Sequence, residues 1–337
     1  MKGSEWRLVL NYFQLACTLI SLIFNSFLIF LIAVKSPKIM GTYKHLLICI
    51  SSLEILYAVT DTIVSPIIHS SHTVVLVITV VKDSVLSPGL KLILATVYCG
   101  FFGCSLAFFA VLFVYRYYAI SGDPKIKTFN SWRIIFWLSG VLLCGVLWST
   151  LGYFTCGPSD EITEVIREDI RNELSLNMTD ITYLGPHFYL PDHSGKDVRF
   201  NWTAIGGMFG FCSIATLTCG AIVYYGRKWY KRTRSSIETT TSSEKYKNTQ
   251  TQLFSALVLQ TTIPIFLLHV PFSILFFCAA LDVHLGQLSG INTLTIALFP
   301  VLDPLPTVFI VENYRKAFLG YIMCTNRKKS IAPSVVE

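Results

Sequence analysis

Residues 8–34 read LVLNYFQLACTLISLIFNSFLIFLIAV, 27 consecutive positions without a charged side chain. Crossing about 30 Å of hydrocarbon at about 1.5 Å per residue takes about 20 apolar residues, so this stretch can span a bilayer as a helix. Six further stretches without Lys or Arg follow, at 46–68, 92–115, 134–154, 202–226, 253–281 and 285–311, and with the first they hold 176 of the 337 residues. A barrel strand alternates apolar and polar residues over about 10 positions, whereas these runs are apolar throughout. Backbone groups in lipid must be satisfied within the segment, so the seven runs are read as transmembrane helices. A signal-peptide core is about 7–15 residues long, so the first run is expected to remain as a signal anchor. The piece 73–81 is too short to cross and is expected to pack on the bundle or its interface. No internal repeat is visible, which weighs against the duplicated architecture of many transporters.

The composition agrees. Apolar residues make up 53% of the chain and charged residues 14%, at a mean hydropathy of +0.57. A soluble domain carries about 25% charged residues. Soluble enzymes, nucleic-acid binders and disordered scaffolds are therefore excluded, and membrane lipid is the first partner expected.

Orientation follows from the basic residues. With the N-terminus outside, the cytoplasmic segments 35–45, 116–133, 227–252 and 312–337 hold 19 Lys and Arg, and the outer segments hold 8. Twelve acids lie outside and five inside. Positive charge stays cytoplasmic, which places the N-terminus outside. The polar, acidic outer segment 155–201 carries a glycosylation acceptor, Asn177-Met178-Thr179; a second, at Asn201, abuts the fifth span. The inner segment 227–252 opens with Arg227, Lys228, Trp229, Tyr230, Lys231 and Arg232 and runs on into serines and threonines. This basic patch is held by anionic lipid, at about 1 kcal/mol per basic residue, and can also dock a cytoplasmic partner.

Three acids fall inside spans: Glu54, Asp61 and Asp303. A mid-span acid costs about 2.5–3.5 kcal/mol on insertion scales and marks function or helix pairing. Glu54 and Asp61 are two helical turns apart and share one face of span two. Glu54 and Asp303 come out at the same depth, about 12 Å from the cytoplasmic side by helical rise. Two carboxylates at one depth raise each other's pKa, share a proton or hold a cation, unless they serve only as neutral glue between helices. Asp61 lies farther out, where it can line a ligand cavity. Pro264 and Pro271 interrupt span six, and Pro300, Pro304 and Pro306 crowd the inner half of span seven. Each removes a helix hydrogen bond, so both helices are expected to bend.

Four motifs carry a resemblance. Gly41-Thr42-Tyr43-Lys44-His45-Leu46 opens span two, and Phe113-Val114-Tyr115-Arg116-Tyr117-Tyr118-Ala119 closes span three. Gln252-Leu253-Phe254-Ser255-Ala256-Leu257-Val258-Leu259-Gln260-Thr261 leads into span six, and Pro300-Val301-Leu302-Asp303-Pro304 lies in span seven. Over nearly its whole length the chain resembles the nematode seven-transmembrane chemoreceptors of the Str class. The resemblance implies an all-α bundle of rhodopsin-like architecture in the plasma membrane of sensory cilia. It implies a G-protein-coupled olfactory receptor that takes a small odorant-like ligand in its outer half and activates a heterotrimeric G protein. Tyr115-Arg116-Tyr117 stands where rhodopsin-type receptors keep an acid, an arginine and an aromatic residue. Arg116 then contacts the G protein or locks the inactive bundle, without the neighbouring acid. Asp303-Pro304 replaces an Asn-Pro element, with Thr307 three residues later. Arg227 and Lys228 join this coupling face.

Tyr314, Phe318, Tyr321 and Ile322 are spaced as one face of an amphipathic helix along the inner leaflet, within 312–324. Cys324 at its end is either palmitoylated or unmodified. Cys99 and Cys156 lie near outer helix ends, but Cys99 is about two turns deep and a disulfide is not expected. For the ligand cavity the outer halves offer Asp61, Tyr98, Phe102, Ser105, His269 and Asn292, a mostly apolar set with a few polar groups. No zinc His-Glu-x-x-His pair, nucleophile elbow or phosphate loop is present, so no catalysis, cofactor or metal is expected. The absence of lysine between 253 and 311 excludes a retinal Schiff base in span seven. The rival reading is a seven-span ligand-gated channel or transporter, which the basic count and the scarcity of intramembrane acids oppose.

Overall fold

The computed structural model of the chain describes residues 3–37, 40–191, 198–239 and 244–322; Cys324 lies outside them. Seven helices within these residues are long and apolar enough to cross a membrane. The first four are α1 (Gly3–Lys35), α2 (Tyr43–Val64), α3 (Pro88–Ser121) and α4 (Ile134–Cys156). After the outer helix α5 (Asp160–Leu174), the fifth span is α6 (Trp202–Thr239). Span six comprises α7 (Glu244–Pro264), a π-helical turn (Ile265–His269) and α8 (Val270–Ala280). Span seven comprises α9 (Ile291–Leu302) and α10 (Pro304–Ile310), and α11 (Glu312–Ile322) follows.

The helix ends depart from the hydropathy reading in several spans: α1 starts at Gly3, α6 runs to Thr239 and α7 starts at Glu244. Span two stops at Val64 because Ser65 turns left-handed, at φ 47°, and Pro66 cannot continue the helix. Span three is longer at both ends. The Ser87 hydroxyl accepts from the Leu90 amide with Pro88 in the first turn, and Gly122 closes the helix at φ 68°.

The outer connections form a folded layer. Strands β1 (Ile67–Ser71), β2 (Val74–Val80) and β3 (Ile181–Leu184) make one antiparallel sheet in that order. The short piece at 73–81 is thus the central strand of this sheet. Its run of β-branched residues suits a strand whose two faces are both covered. β4 (Tyr189–Pro191) and β5 (Val198–Phe200) form a second hairpin. Within the acidic outer segment, Ile162, Ile166, Ile170 and Leu174 recur every four residues and bury one face of α5 against this sheet and Leu10 of α1.

Span three is the axis of the bundle, and glycines let α4 approach it closely. A Cβ on Gly100 would collide with Ser149 Oγ, and one on Gly145 with Cys104 Sγ. Lipid offers no hydrophobic drive between helices, so close contact through small residues is how such a pair associates.

The prolines coincide with breaks in spans six and seven. Pro304 has no N–H, which leaves the carbonyl of Pro300 unclaimed in the helix. Ser21 Oγ donates to that carbonyl at 3.0 Å and Asn25 Nδ2 at 2.9 Å, so the break in span seven becomes a joint to span one. In span six the π-helical turn takes up the residue displaced between Pro264 and Pro271.

The apolar face of α11 docks on protein. Tyr314 is fully buried, its hydroxyl 2.7 Å from Ser36 Oγ, and Phe318 packs edge-on against Phe27. Opposite them, the Lys316 ammonium donates to Glu312 at 2.5 Å and holds that carboxyl below the ordinary range.

Candidate functional site

The outer half holds a partly open cavity of about 210 Å³ between spans three to six, beneath the sheet. Its wall is nearly all apolar. Tyr98, Cys99 and Phe102 come from α3, Trp148, Gly152 and Cys156 from α4, and Met208, Phe211 and Cys212 from α6. The π-helical turn and α8 add Leu268, His269, Phe272, Ser273 and Phe276, and Ile68, Val75 and Leu184 close the top. Phe102 meets Tyr98 and Phe272 edge-on, at ring-centroid distances of 6.3 and 5.7 Å. The π-helical turn places Leu268 and His269 together on the cavity wall, and the imidazole and the Ser273 hydroxyl are among its few polar groups. Cys99 and Cys156 both line the cavity as free thiols.

Of the six residues expected here, Tyr98, Phe102 and His269 reach the wall, and Asp61, Ser105 and Asn292 do not. Asp61 is buried beside Tyr98 and Gln14, behind the stacked Tyr57–Tyr98 pair. Asn292 turns back to the Ser289 carbonyl at 3.0 Å in the first turn of α9. Ser105 follows Phe102 by about one helical turn, deeper in the bundle than the cavity floor. The signal missed in the sequence was the roof, since β2 and β3 meet only through long-range pairing, from Val77 with Leu184 to Val80 with Ile181.

Deeper in the bundle, polar groups from four spans converge. On α2, Ile50, Glu54, Tyr57 and Asp61 form one buried stripe, as the two-turn spacing requires. Glu54 neighbours Asp303 and Asn25. Gln260 Nε2 donates to Asp303 Oδ2 at 2.9 Å and to its carbonyl at 3.0 Å, and Thr307 Oγ1 donates to Gln260 Oε1 at 3.0 Å. Both Glu54 oxygens, Asp303 Oδ1 and Asn25 Oδ1 find no hydrogen-bond donor among the described residues. Buried acceptors crowded together without a donor need a proton or a cation among them. Pro304 starts α10 beside this cluster.

At the cytoplasmic end Arg116 is 1% exposed. Its guanidinium carbon stands 3.4 Å from the centre of the Tyr43 ring, and Nη1 donates to Gln250 Oε1 at 2.9 Å. Tyr115 precedes Arg116 on α3 and packs on the same ring. Its ring stacks on Tyr43 at 5.5 Å, and its hydroxyl accepts from the Tyr43 amide at 3.2 Å. Tyr117 packs on Tyr225 of α6, and the Lys228 ammonium lies over the rings of Tyr224 and Tyr117. Arg227 and Lys228 are exposed on this face. Tyr43 and Gln250, both outside the sequence-based set, are what hold Arg116 in place.

On the outer side Asn177 is exposed, its side chain 3.3 Å from Asp180. His187, 2% exposed, is 3.1 Å from Thr73 Oγ1, and burial pushes its imidazole below the ordinary value.

Comparison with known proteins fits this architecture. Squid rhodopsin superposes over 96% of this chain and 83% of its own, at a TM-score of 0.59 and 13% identity, a likeness of fold. The G-protein coupled receptor str-217 of Caenorhabditis elegans is 33% identical over 304 residues, covering 90% of this chain and 87% of that protein. Serpentine receptor class r-10 of the same organism is 26% identical over 336 residues, covering 99% and 96%. The model of the serpentine 7TM GPCR chemoreceptors of type Str matches residues 10–319. The chain belongs to the Str family of serpentine seven-transmembrane G-protein-coupled chemoreceptors.

Proposed function

We propose that this receptor detects a small, predominantly apolar environmental molecule in its outer cavity and signals to a heterotrimeric G protein through the face around Arg116. The observation that carries the reading is the cavity itself. At about 210 Å³, with aromatic walls and His269 and Ser273 as polar handles, it suits an odorant-sized ligand with one hydrogen-bonding group. Tyr98, Phe102 and His269 bind it, while Asp61, Ser105 and Asn292 act from behind the wall.

Bending at Pro264 and Pro271 couples the cavity to the cytoplasmic side. The cavity touches span six at Leu268 and His269, and Gln260 lies on the same span, bonded to Asp303. Glu54, Asp303 and Pro304 form the switch, and Arg116, Tyr115, Tyr117, Arg227 and Lys228 form the coupling surface. The receptor works in the plasma membrane of a sensory cilium, with Asn177 glycosylated outside and Cys324 lipidated inside. A channel or transporter would need a polar path along the axis. The inner half is instead filled by Phe108, Phe109, Leu112, Leu253 and Leu257, all buried.

The reading is tested in cells displaying the chain, screened with small volatile and water-soluble odorants. A second-messenger response that G-protein blockade removes is expected. An evoked current that survives the blockade would move the protein to the channel class.

A further inference from the structure

The outer surface carries a cluster of metal-binding side chains that the ligand cavity does not use. His72 sits at the turn of the β1–β2 hairpin, Asp169 on α5, and His284 in the connection between spans six and seven. One donor atom from each lies within 4.8 Å of the other two. The two imidazole rings are 5.1 Å apart at 39°.

Neighbouring groups orient these three. Glu173 Oε1 is 2.6 Å from His284 Nε2, Asp282 Oδ1 is 3.2 Å from His72 Nδ1, and the Ser71 hydroxyl donates to Asp169. A carboxylate on one ring nitrogen fixes the tautomer that leaves the other nitrogen basic, the arrangement that supports metal-bound histidines. Behind them the His69 ring is 1% exposed and its Nε2 lies 3.9 Å from Glu173 Oε2, with neither atom hydrogen-bonded among the described residues. Gly286, at φ +50°, leaves this space open, because a Cβ there would stand 2.6 Å from Glu173 Oε2 and 3.1 Å from His284 Nε2.

We propose that His72, Asp169 and His284 bind one divalent transition-metal ion of the zinc or copper(II) type. Two imidazoles and a carboxylate match the preferences of such ions, whereas calcium and magnesium take oxygen ligands. Bond lengths of about 2.0–2.2 Å to zinc require the donors to close by roughly an ångström, within reach of rotamer changes in exposed side chains. The ligands come from three different outer connections. A bound ion therefore ties the span six–seven connection to α5 and to the β1–β2 hairpin that roofs the cavity.

The test uses the full chain purified in detergent with its affinity tag removed, with zinc chloride alone as probe. Thermal unfolding is followed as zinc is raised through the micromolar range. A saturable rise of about 3 °C or more is expected. Equilibrium dialysis should give one ion per chain. The rise should be lost in His72→Asn and in His284→Asn, both at exposed positions, and calcium should produce none. A zinc-bound chain whose shift survives in the double variant, or a wild-type chain that binds no zinc, would overturn the site.

Discussion

The guanidinium of Arg116 stacks on the ring of Tyr43, with its carbon 3.4 Å from the ring centre, so the cytoplasmic arginine of span three is packed against span two. A buried cation–π contact contributes about 2 kcal/mol or more. Together with the Gln250 bond it holds Arg116 away from the inner surface.

Releasing that contact should therefore raise signalling in the absence of ligand. Tyr43→Leu is expected to increase basal reporter output severalfold, and Arg116→Ala to abolish ligand-driven output, with surface display unchanged in both. Display is measured by antibody binding to an outer tag. Wild-type output from both variants would remove Arg116 from the mechanism.

Glu54 and Asp303 share a site that holds acceptors in excess of donors. Glu54→Gln supplies an N–H, as does Asp303→Asn, so either change should relieve the crowding and the second should add little. The double variant should depart from the sum of the singles by about 1 kcal/mol or more in thermal stability. Strict additivity would refute the shared site.

The α3–α4 contact depends on absent side chains. Gly145→Val forces its Cβ into Cys104 Sγ and should destabilise the chain by about 1–3 kcal/mol, read as a lowered melting temperature. Gly140→Ala on the same helix meets nothing within 4 Å and should leave it unchanged.

Acid should loosen the outer layer through His187. Burial lowers its pKa below 6.5 in the fold, and the nearby Glu161 opposes this more weakly. The neutral ring is therefore favoured by folding. Its contribution is complete above pH 6.5 and is lost as pH falls through the lower folded value. Melting temperature should drop between pH 7.5 and pH 5, and His187→Gln should drop less.

The bundle was legible because hydrocarbon thickness and the ban on unsatisfied backbone in lipid translate directly into runs of apolar residues. The Glu54–Asp61 face and the breaks at Pro264 and Pro304 were legible too, since helical spacing and a missing N–H are local properties. The roof was not. Sheet pairing such as Val77 with Leu184, and α5 closing over it, depends on contacts between distant segments. The same blindness explains Asp61. Depth alone placed it near the ligand, whereas helix rotation turns it behind Tyr98. It also explains Tyr43 and Gln250, whose importance lies only in where Arg116 points.

The most direct test is nucleotide exchange on a panel of purified Gα subunits by the receptor in nanodiscs, driven by an odorant that scores in the cell screen. The comparison is with Gly152→Leu, whose Cβ meets only Phe211 at 3.9 Å and whose side chain fills the cavity. The account predicts ligand-driven exchange by the wild-type receptor and none by Gly152→Leu, with both chains equally folded. Equal exchange by the two would contradict it, placing the ligand somewhere other than this cavity.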